Sequence, residues 1–362
     1  MKVVFRCDSS VLIGSGHTTR CLTLADEIKK DGHETIFISR KSKGNQFKEI
    51  KLRGHSVMPL KIKGFHPEEN LKEIDSKPWS KKIQEEDAIK TIKTIQGEEF
   101  DWLVLDHYFL NKIWERKVKG YVNYLFVIDD FTDRKHECDV LMNHGFLSKD
   151  REVFKELVSG KTKLLLGPKY VLLRPEYSLN RSNFSKKHNV KNVVVFYGNS
   201  DLTNETLKSL EAISRLNFDD LYINVVIGSN NPFFDIIQQK VKEIRNCHLH
   251  VQLPHLANLF SQANLALCAG GGALWELMCM GIPSLVTITS ENQSAAAKIL
   301  SSKEAVYCLG ESREVSINDL ELNIRNMLYD EKKLSKISHK AKKLVNGNGA
   351  KEVIREMKHL SM

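Results

Sequence analysis

A chain of 362 residues, at roughly 150 per domain, is long enough for two domains. With 41% hydrophobic and 27% charged residues it has the make-up of a soluble globular protein, which excludes a disordered or collagen-like chain. Its 54 lysines and arginines against 45 aspartates and glutamates leave a net charge of +9, favouring an anionic partner: nucleic acid, a membrane surface or a phosphorylated small molecule.

The apolar runs, such as Trp102 to Leu105 and Val193 to Tyr197, fall far short of the ~20 residues that cross a bilayer. Arg6 and Asp8 interrupt the first apolar stretch too early for a signal-peptide core, so a cytoplasmic protein is expected. Seven scattered cysteines without a Cys-x-x-Cys pair indicate reduced thiols rather than a disulfide framework or a zinc ribbon.

In chain order, an extended stretch Val3-Val4-Phe5 runs into Gly14-Ser15-Gly16-His17, a helix from Thr19 to Lys30 and a strand from Thr35 to Ser39. Cys21, Leu22, Leu24, Ala25 and Ile28 recur at helical intervals, so one face of that helix packs on a sheet. Residues 41 to 100 are Lys-rich and weakly patterned; they read as an insertion or mobile loop with a helix at Lys90 to Ile95. Strands follow at Trp102 to Leu105 and Tyr124 to Ile128. The polar stretch Tyr177 to Asn189 reads as a linker.

The second half repeats the rhythm. Strands are expected at Asn192 to Phe196, Tyr222 to Ile227, His248 to Val251, Leu265 to Cys268 and Ser284 to Ile288, with helices at Asn204 to Leu216, Pro254 to Gln262 and after Gly270-Gly271-Gly272. Strands alternating with helices imply parallel sheets. The expected architecture is α/β: two Rossmann-like domains, 1–180 and 181–362, with the C-terminal helices free to pack on either. Ligands of such sheets sit at the carboxyl ends of the strands, which here means the cleft that two facing domains make.

Gly14-Ser15-Gly16 can present amides to an anion at a helix N-terminus, but position 19 is Thr19 rather than glycine and the next strand ends in Ser39-Arg40, which disfavours NAD. His17 stands at the mouth of this loop, as a general base or acid or as a plain loop histidine. Asp106, Asp129 and Asp130 close strands; such carboxylates orient a base, bind sugar hydroxyls or cap a helix. Gly270 to Gly272 opening a helix form a cradle for a diphosphate, and Glu276, one turn on, suits ribose hydroxyls or the helix macrodipole. His248 and His250 lack a third ligand nearby, so no metal and no cofactor is expected. No aromatics interleave with the lysine runs, so nucleic acid is a minor alternative.

Several motifs together resemble one family. Phe5-Arg6-Cys7-Asp8-Ser9-Ser10, Ile13 to His17 and Arg20 to Ala25 are similar to the UDP-sugar hydrolases of pseudaminic acid biosynthesis and their spore-coat polysaccharide relatives. The likeness continues through Asp106-His107-Tyr108, Asp129-Asp130, Cys138-Asp139 with Asn143, Gly167 to Tyr170, Leu173-Arg174, Gly270-Gly271 with Glu276, Gly281 to Leu285 and Glu291-Asn292-Gln293.

The resemblance implies a GT-B-like fold and metal-independent hydrolysis of a UDP-linked 2,4-diacetamido-2,4,6-trideoxyhexose, or a close amino-sugar relative, by water with anomeric inversion. It implies that His17 places or deprotonates the water, that Tyr108 and Asn292 line the sugar, and that Gly270, Gly271, Gly272 and Glu276 hold UDP. Asp8, Gly14, Gly16, Arg20, Asp106, Arg174, Gly198 and Gln293 complete the substrate contacts it implies. Tyr197-Gly198-Asn199-Ser200-Asp201 departs from the family's Gly-Gly-Thr-Asp by one glycine. A monomer without stable membrane insertion is expected. Two other functions fit the same residues: a transferase whose Val11, Leu12 and Ile13 rest on a membrane, and a non-catalytic subunit that binds the nucleotide sugar.

Overall fold

The computed structural model describes residues 1–361 apart from 12, 61–76, 146–147, 182–191, 217–219 and 254. Its contacts divide the chain into a first unit of Met1–Leu172 with Asn348–Met362 and a second of Leu173–Gly347. In this division the second unit starts at Leu173, and the last helix belongs to the first unit.

The first unit runs β1 (Lys2–Cys7), α1 (Gly16–Lys30), β2 (Glu34–Arg40), α2 (Phe47–Leu52), β3 (Ser56–Leu60), α3 (Lys81–Ile95), β4 (Trp102–Asp106), α4 (Lys112–Val118), β5 (Tyr124–Ile128), β6 (Val140–Asn143) and β7 (Lys163–Leu166). The strands form a seven-stranded sheet in the order β3-β2-β1-β4-β5-β6-β7, parallel throughout. Helices cover both faces of a parallel sheet, so central strands read as continuous apolar runs; Val3, Val4, Phe5 and Trp102 to Leu105 are all fully buried. Each such side chain contributes about 1.5–3 kcal/mol of burial.

The second unit runs α5 (Pro175–Leu179), β8 (Asn192–Phe196), α6 (Glu205–Ser214), β9 (Tyr222–Ile227), α7 (Phe234–Glu243), β10 (Cys247–Val251), α8 (Ala257–Gln262), β11 (Leu265–Ala269), α9 (Gly272–Met280), β12 (Ser284–Ile288), α10 (Glu291–Ser302), β13 (Tyr307–Glu311), α11 (Ile317–Tyr329) and α12 (Glu331–Leu344). Its six strands pair in the order β10-β9-β8-β11-β12-β13, again all parallel. The chain then returns to the first unit as α13 (Gly349–Ser361), whose Val353, Ile354 and Met357 join the core beside α1. Gly349 permits this docking, since a Cβ there would stand 2.0 Å from the Val171 carbonyl oxygen.

Within the weakly patterned range 41 to 100, the described residues supply α2, β3 and α3 to the fold, and 61–76 lie outside the described residues. Two expectations are corrected. Helix α3 begins at Lys81, nine residues before the expected start, and buries Gln84, Asp87, Ala88, Thr91 and Ile95. The linker expected at 177–189 starts inside α5, where Tyr177 is buried, and the rest of that stretch lies mostly outside the described residues. Strands β3, β6, β7 and β13 were not anticipated.

Candidate functional site

In each sheet the strand order reverses at one place, between β1 and β4 in the first unit and between β8 and β11 in the second. Loops leaving the two central strands splay to opposite faces there and open a crevice, the usual ligand position in open α/β sheets.

At the first of these points, Gly14 (φ +79°) turns the loop after β1 through a left-handed conformation that side chains resist, and α1 starts at Gly16. His17 is thereby placed in the first turn of α1, 7% exposed, rather than on an open loop. Its Nδ1 lies 2.6 Å from Oδ1 of Asp106, the last residue of β4. Among the described residues Nε2 has no hydrogen-bond partner. Asp106 thus orients the imidazole and caps no helix.

Arg20, one turn along α1, forks onto the same carboxylate through Nε and Nη2 at 2.5 and 2.6 Å, and its Nη1 reaches both oxygens of Asp130 at 2.9 Å. The Tyr108 ring meets His17 edge-on at 4.2 Å, and its hydroxyl donates to Asp130 at 2.9 Å. Burial alone would raise the Asp106 carboxyl, but Arg20 and His17 outweigh it and hold the group well below the usual carboxylate range.

Behind this cluster lies a buried ionic network. Asp8 is 3% exposed, takes both Arg6 nitrogens Nη1 and Nη2 at 2.6 and 3.0 Å, accepts the Arg40 amide at 2.8 Å and meets His107 Nε2 at 3.0 Å. Asp87 on α3 bridges Arg6 and Arg40 at 2.8 and 2.7 Å and accepts the Trp114 indole at 2.9 Å. Arg20, too, is engaged by carboxylates, those of Asp106 and Asp130. Asp87 and Arg40 were not singled out as site residues; Arg40 was noticed only because it closes β2 where an NAD enzyme carries an acid.

In the second unit, the loop after β8 carries Gly198 and then Asp201, whose carboxylate accepts the amides of Glu205 and Thr206 at 3.0 and 2.8 Å. The first amides of α6 are therefore already taken by the Asp201 side chain. The loop after β11 differs. Among the described residues no side chain caps the start of α9, and a Cβ on Gly272 would meet nothing within 4 Å.

Gln293 fixes this second loop. Its Oε1 accepts the Gly270 amide at 3.1 Å and the Thr289 amide at 3.0 Å, tying together the ends of β11 and β12. Asn292, beside it at the start of α10, accepts the Ser290 hydroxyl at 2.7 Å. Glu276, half-buried on α9, hydrogen-bonds the Tyr177 hydroxyl, which itself accepts Arg174 Nη2 at 2.9 Å. Burial pushes the Glu276 carboxyl up to about 7, against the pull of Tyr177 and Arg174. Arg174 Nε is buried with no hydrogen-bond partner among the described residues.

Two parallel α/β units of this kind, each with its polar residues gathered at the switch point, define a GT-B-like fold. No protein-family model matches the chain. It is 25% identical over 305 residues, 84% of the chain and 97% of the relative, to the UDP-2,4-diacetamido-2,4,6-trideoxy-beta-L-altropyranose hydrolase of Campylobacter jejuni. It is 27% identical over 303 residues to an uncharacterized protein of Methanocaldococcus jannaschii, covering 81% of this chain but only 57% of that longer protein. Among solved structures, that of MurG from Acinetobacter baumannii superposes with a TM-score of 0.69 at 12% identity, covering 99% of this chain and all of that one. The resemblance read from the motifs thus extends over most of the sequence.

Proposed function

We propose that this chain is a UDP-sugar-processing enzyme, and within that class a hydrolase that releases UDP from a UDP-linked 2,4-diacetamido-2,4,6-trideoxyhexose or a close amino-sugar relative. The observation that carries the reading is the His17–Asp106 pair. A carboxylate on Nδ1 fixes the tautomer whose Nε2 lone pair can take a proton, as a general base for water requires.

In this reading, water attacks the anomeric carbon as His17 Nε2 takes its proton, and the bond from that carbon to the diphosphate oxygen breaks with its electron pair leaving on UDP. One displacement inverts the centre. Diphosphate is a good leaving group, so the second unit has only to bind it and stabilise its charge: the amides at the start of α9 donate to the phosphate oxygens, and Arg174, with Nε unpartnered, supplies a cation. Glu276 receives the ribose hydroxyls. Tyr108 lies against His17 on the sugar side, and Asn292 borders the Gly270 loop.

Transfer to a lipid or sugar acceptor is the second reading, favoured by Val11, 48% exposed beside the Gly14 loop; Leu12 of the same apolar stretch lies outside the described residues. Hydrolysis in ¹⁸O-labelled water separates the chemistries. Label on the free sugar and none on UDP is expected; label on UDP would mean attack at phosphorus and end the proposal, and no turnover without an acceptor would favour transfer.

A further inference from the structure

We propose that Arg20 is a positioning residue that keeps His17 in its neutral, proton-accepting form by neutralising Asp106, which touches the imidazole, and Asp130 beside it. The inference rests on the reading of His17 as a base.

Arg20 and His17 are three residues apart on one face of α1, and every nitrogen of the guanidinium is committed: two to Asp106, the third to Asp130. Asp106 touches the imidazole directly, and Asp130 holds the hydroxyl of Tyr108, whose ring edge packs on it. The other titratable groups here add no charge. Cys21 Sγ lies 3.6 Å from Asp106 and is kept a thiol by burial, and His144, with Nε2 3.9 Å from Asp130, is held neutral by burial. Tyr108 stays protonated because burial and then Asp130 raise it. Beyond β1, the cations Arg6 and Arg40 balance Asp8 and Asp87, and burial keeps His107 neutral.

His17 therefore touches one carboxylate, Asp106, while a second, Asp130, lies one group away, with the Arg20 guanidinium bound to both. Without the guanidinium it would face two carboxylates, one in direct hydrogen bond; both stabilise the imidazolium, and a protonated His17 cannot accept a proton from water. An arginine fits the task because its planar fork grips one carboxylate with two nitrogens while the third reaches a second, a span that a lysine ammonium cannot cover.

The test is a ¹⁵N NMR titration of the His17 imidazole in the full-length protein, with the resonance assigned by its loss in His17→Asn. Arg20→Gln should move the His17 midpoint up by about one pH unit or more, Asp130→Asn should move it down, and Arg20→Lys should stay nearer the parent than Arg20→Gln. The acid limb of kcat/KM should follow the midpoint in each variant. Loosened packing has no reason to drive two neutralising substitutions in opposite directions. A midpoint unmoved in Arg20→Gln, or shifted the same way in both, overturns the proposal. If Arg20→Gln fails to fold, an unmoved or raised midpoint in Asp130→Asn does so alone. Failure of the base reading would show separately, as parent-like turnover in His17→Asn.

Discussion

The Nδ1 of His17 lies 2.6 Å from Oδ1 of Asp106, which joins the first turn of α1 to the end of β4 across the switch point of the first sheet. One ring nitrogen is spent on orientation and the other is left for chemistry. His17→Asn keeps a hydrogen-bonding group of similar reach but removes the base, and should lower turnover by about 10²-fold or more while UDP affinity stays unchanged. Single-turnover kinetics with calorimetry of UDP binding would check both halves; undiminished turnover would remove His17 from the chemistry.

Glu276 gives the second unit a pH signature. Its carboxyl ordinarily titrates near 4.5 and burial carries it to about 7, so below pH 7 it is mostly protonated and a poorer acceptor for ribose hydroxyls. UDP affinity should be flat above pH 7 and fall up to tenfold per unit below it, and Glu276→Gln should abolish that slope and weaken binding by about 10-fold or more at pH 8. The same shift has a stability sign. Between about 4.5 and 7 the folded chain holds a proton that the unfolded chain has released, so this group's contribution to stability declines as pH rises through that window. A UDP affinity identical at pH 5.5 and pH 8 would sink the ribose assignment.

Gln293 joins two loop ends through one oxygen. Gln293→Ala leaves the Gly270 and Thr289 amides without that acceptor, at a cost of about 1–3 kcal/mol for each that water cannot reach. The expected outcome is a lowered Tm together with weaker UDP binding. Unchanged UDP affinity would show that the Gly270 loop holds its shape without this clamp.

Asp87 is the buried anion between Arg6 and Arg40, held down to about 2 because those two cations outweigh its burial. Asp87→Asn leaves two buried guanidiniums short of a counter-charge and should destabilise the protein by about 3–5 kcal/mol. Urea unfolding followed by tryptophan fluorescence would register it, since Trp114 donates its indole N–H to Asp87. A shift in the first transition below about 1 kcal/mol would show that the network relaxes without it.

How much of this was legible in the sequence depended on where each element lies in its sheet. Central strands covered on both faces, such as Trp102 to Leu105 and Val193 to Phe196, announce themselves as unbroken apolar runs. The edge strands β3, β7 and β13 do not: β3 contains Ser56 and Pro59, β13 contains Gly310 and Glu311, and β7 is four residues long. Helix α3 hides in a different way. Its buried positions 84, 87, 88, 91 and 95 keep the helical spacing, but three of them are Gln84, Asp87 and Thr91, so no hydrophobic period marks its first two turns.

The same physics limited the site. His17, Asp106 and Glu276 stand at strand ends or helix starts where sequence position alone suggests chemistry. Asp8 and Arg20 stand there too, and both sit in buried ion pairs: Asp8 with Arg6 two residues before it, and Arg20 with Asp106 and Asp130, which only the sheet order brings alongside. Asp87 is the clearest omission, because an aspartate directly after Glu85 and Glu86 in a Lys-rich stretch looks like a solvated charge.

The most direct test of the hydrolase reading is proton and phosphorus NMR of the purified protein mixed with UDP-linked diacetamido-trideoxyhexoses and no acceptor. The expected result is UDP together with a free sugar whose first-formed anomer is inverted relative to the substrate, with both signals growing at equal rates. A nucleotide sugar that binds and stays intact, or one released with its configuration retained, would contradict single-displacement hydrolysis by water.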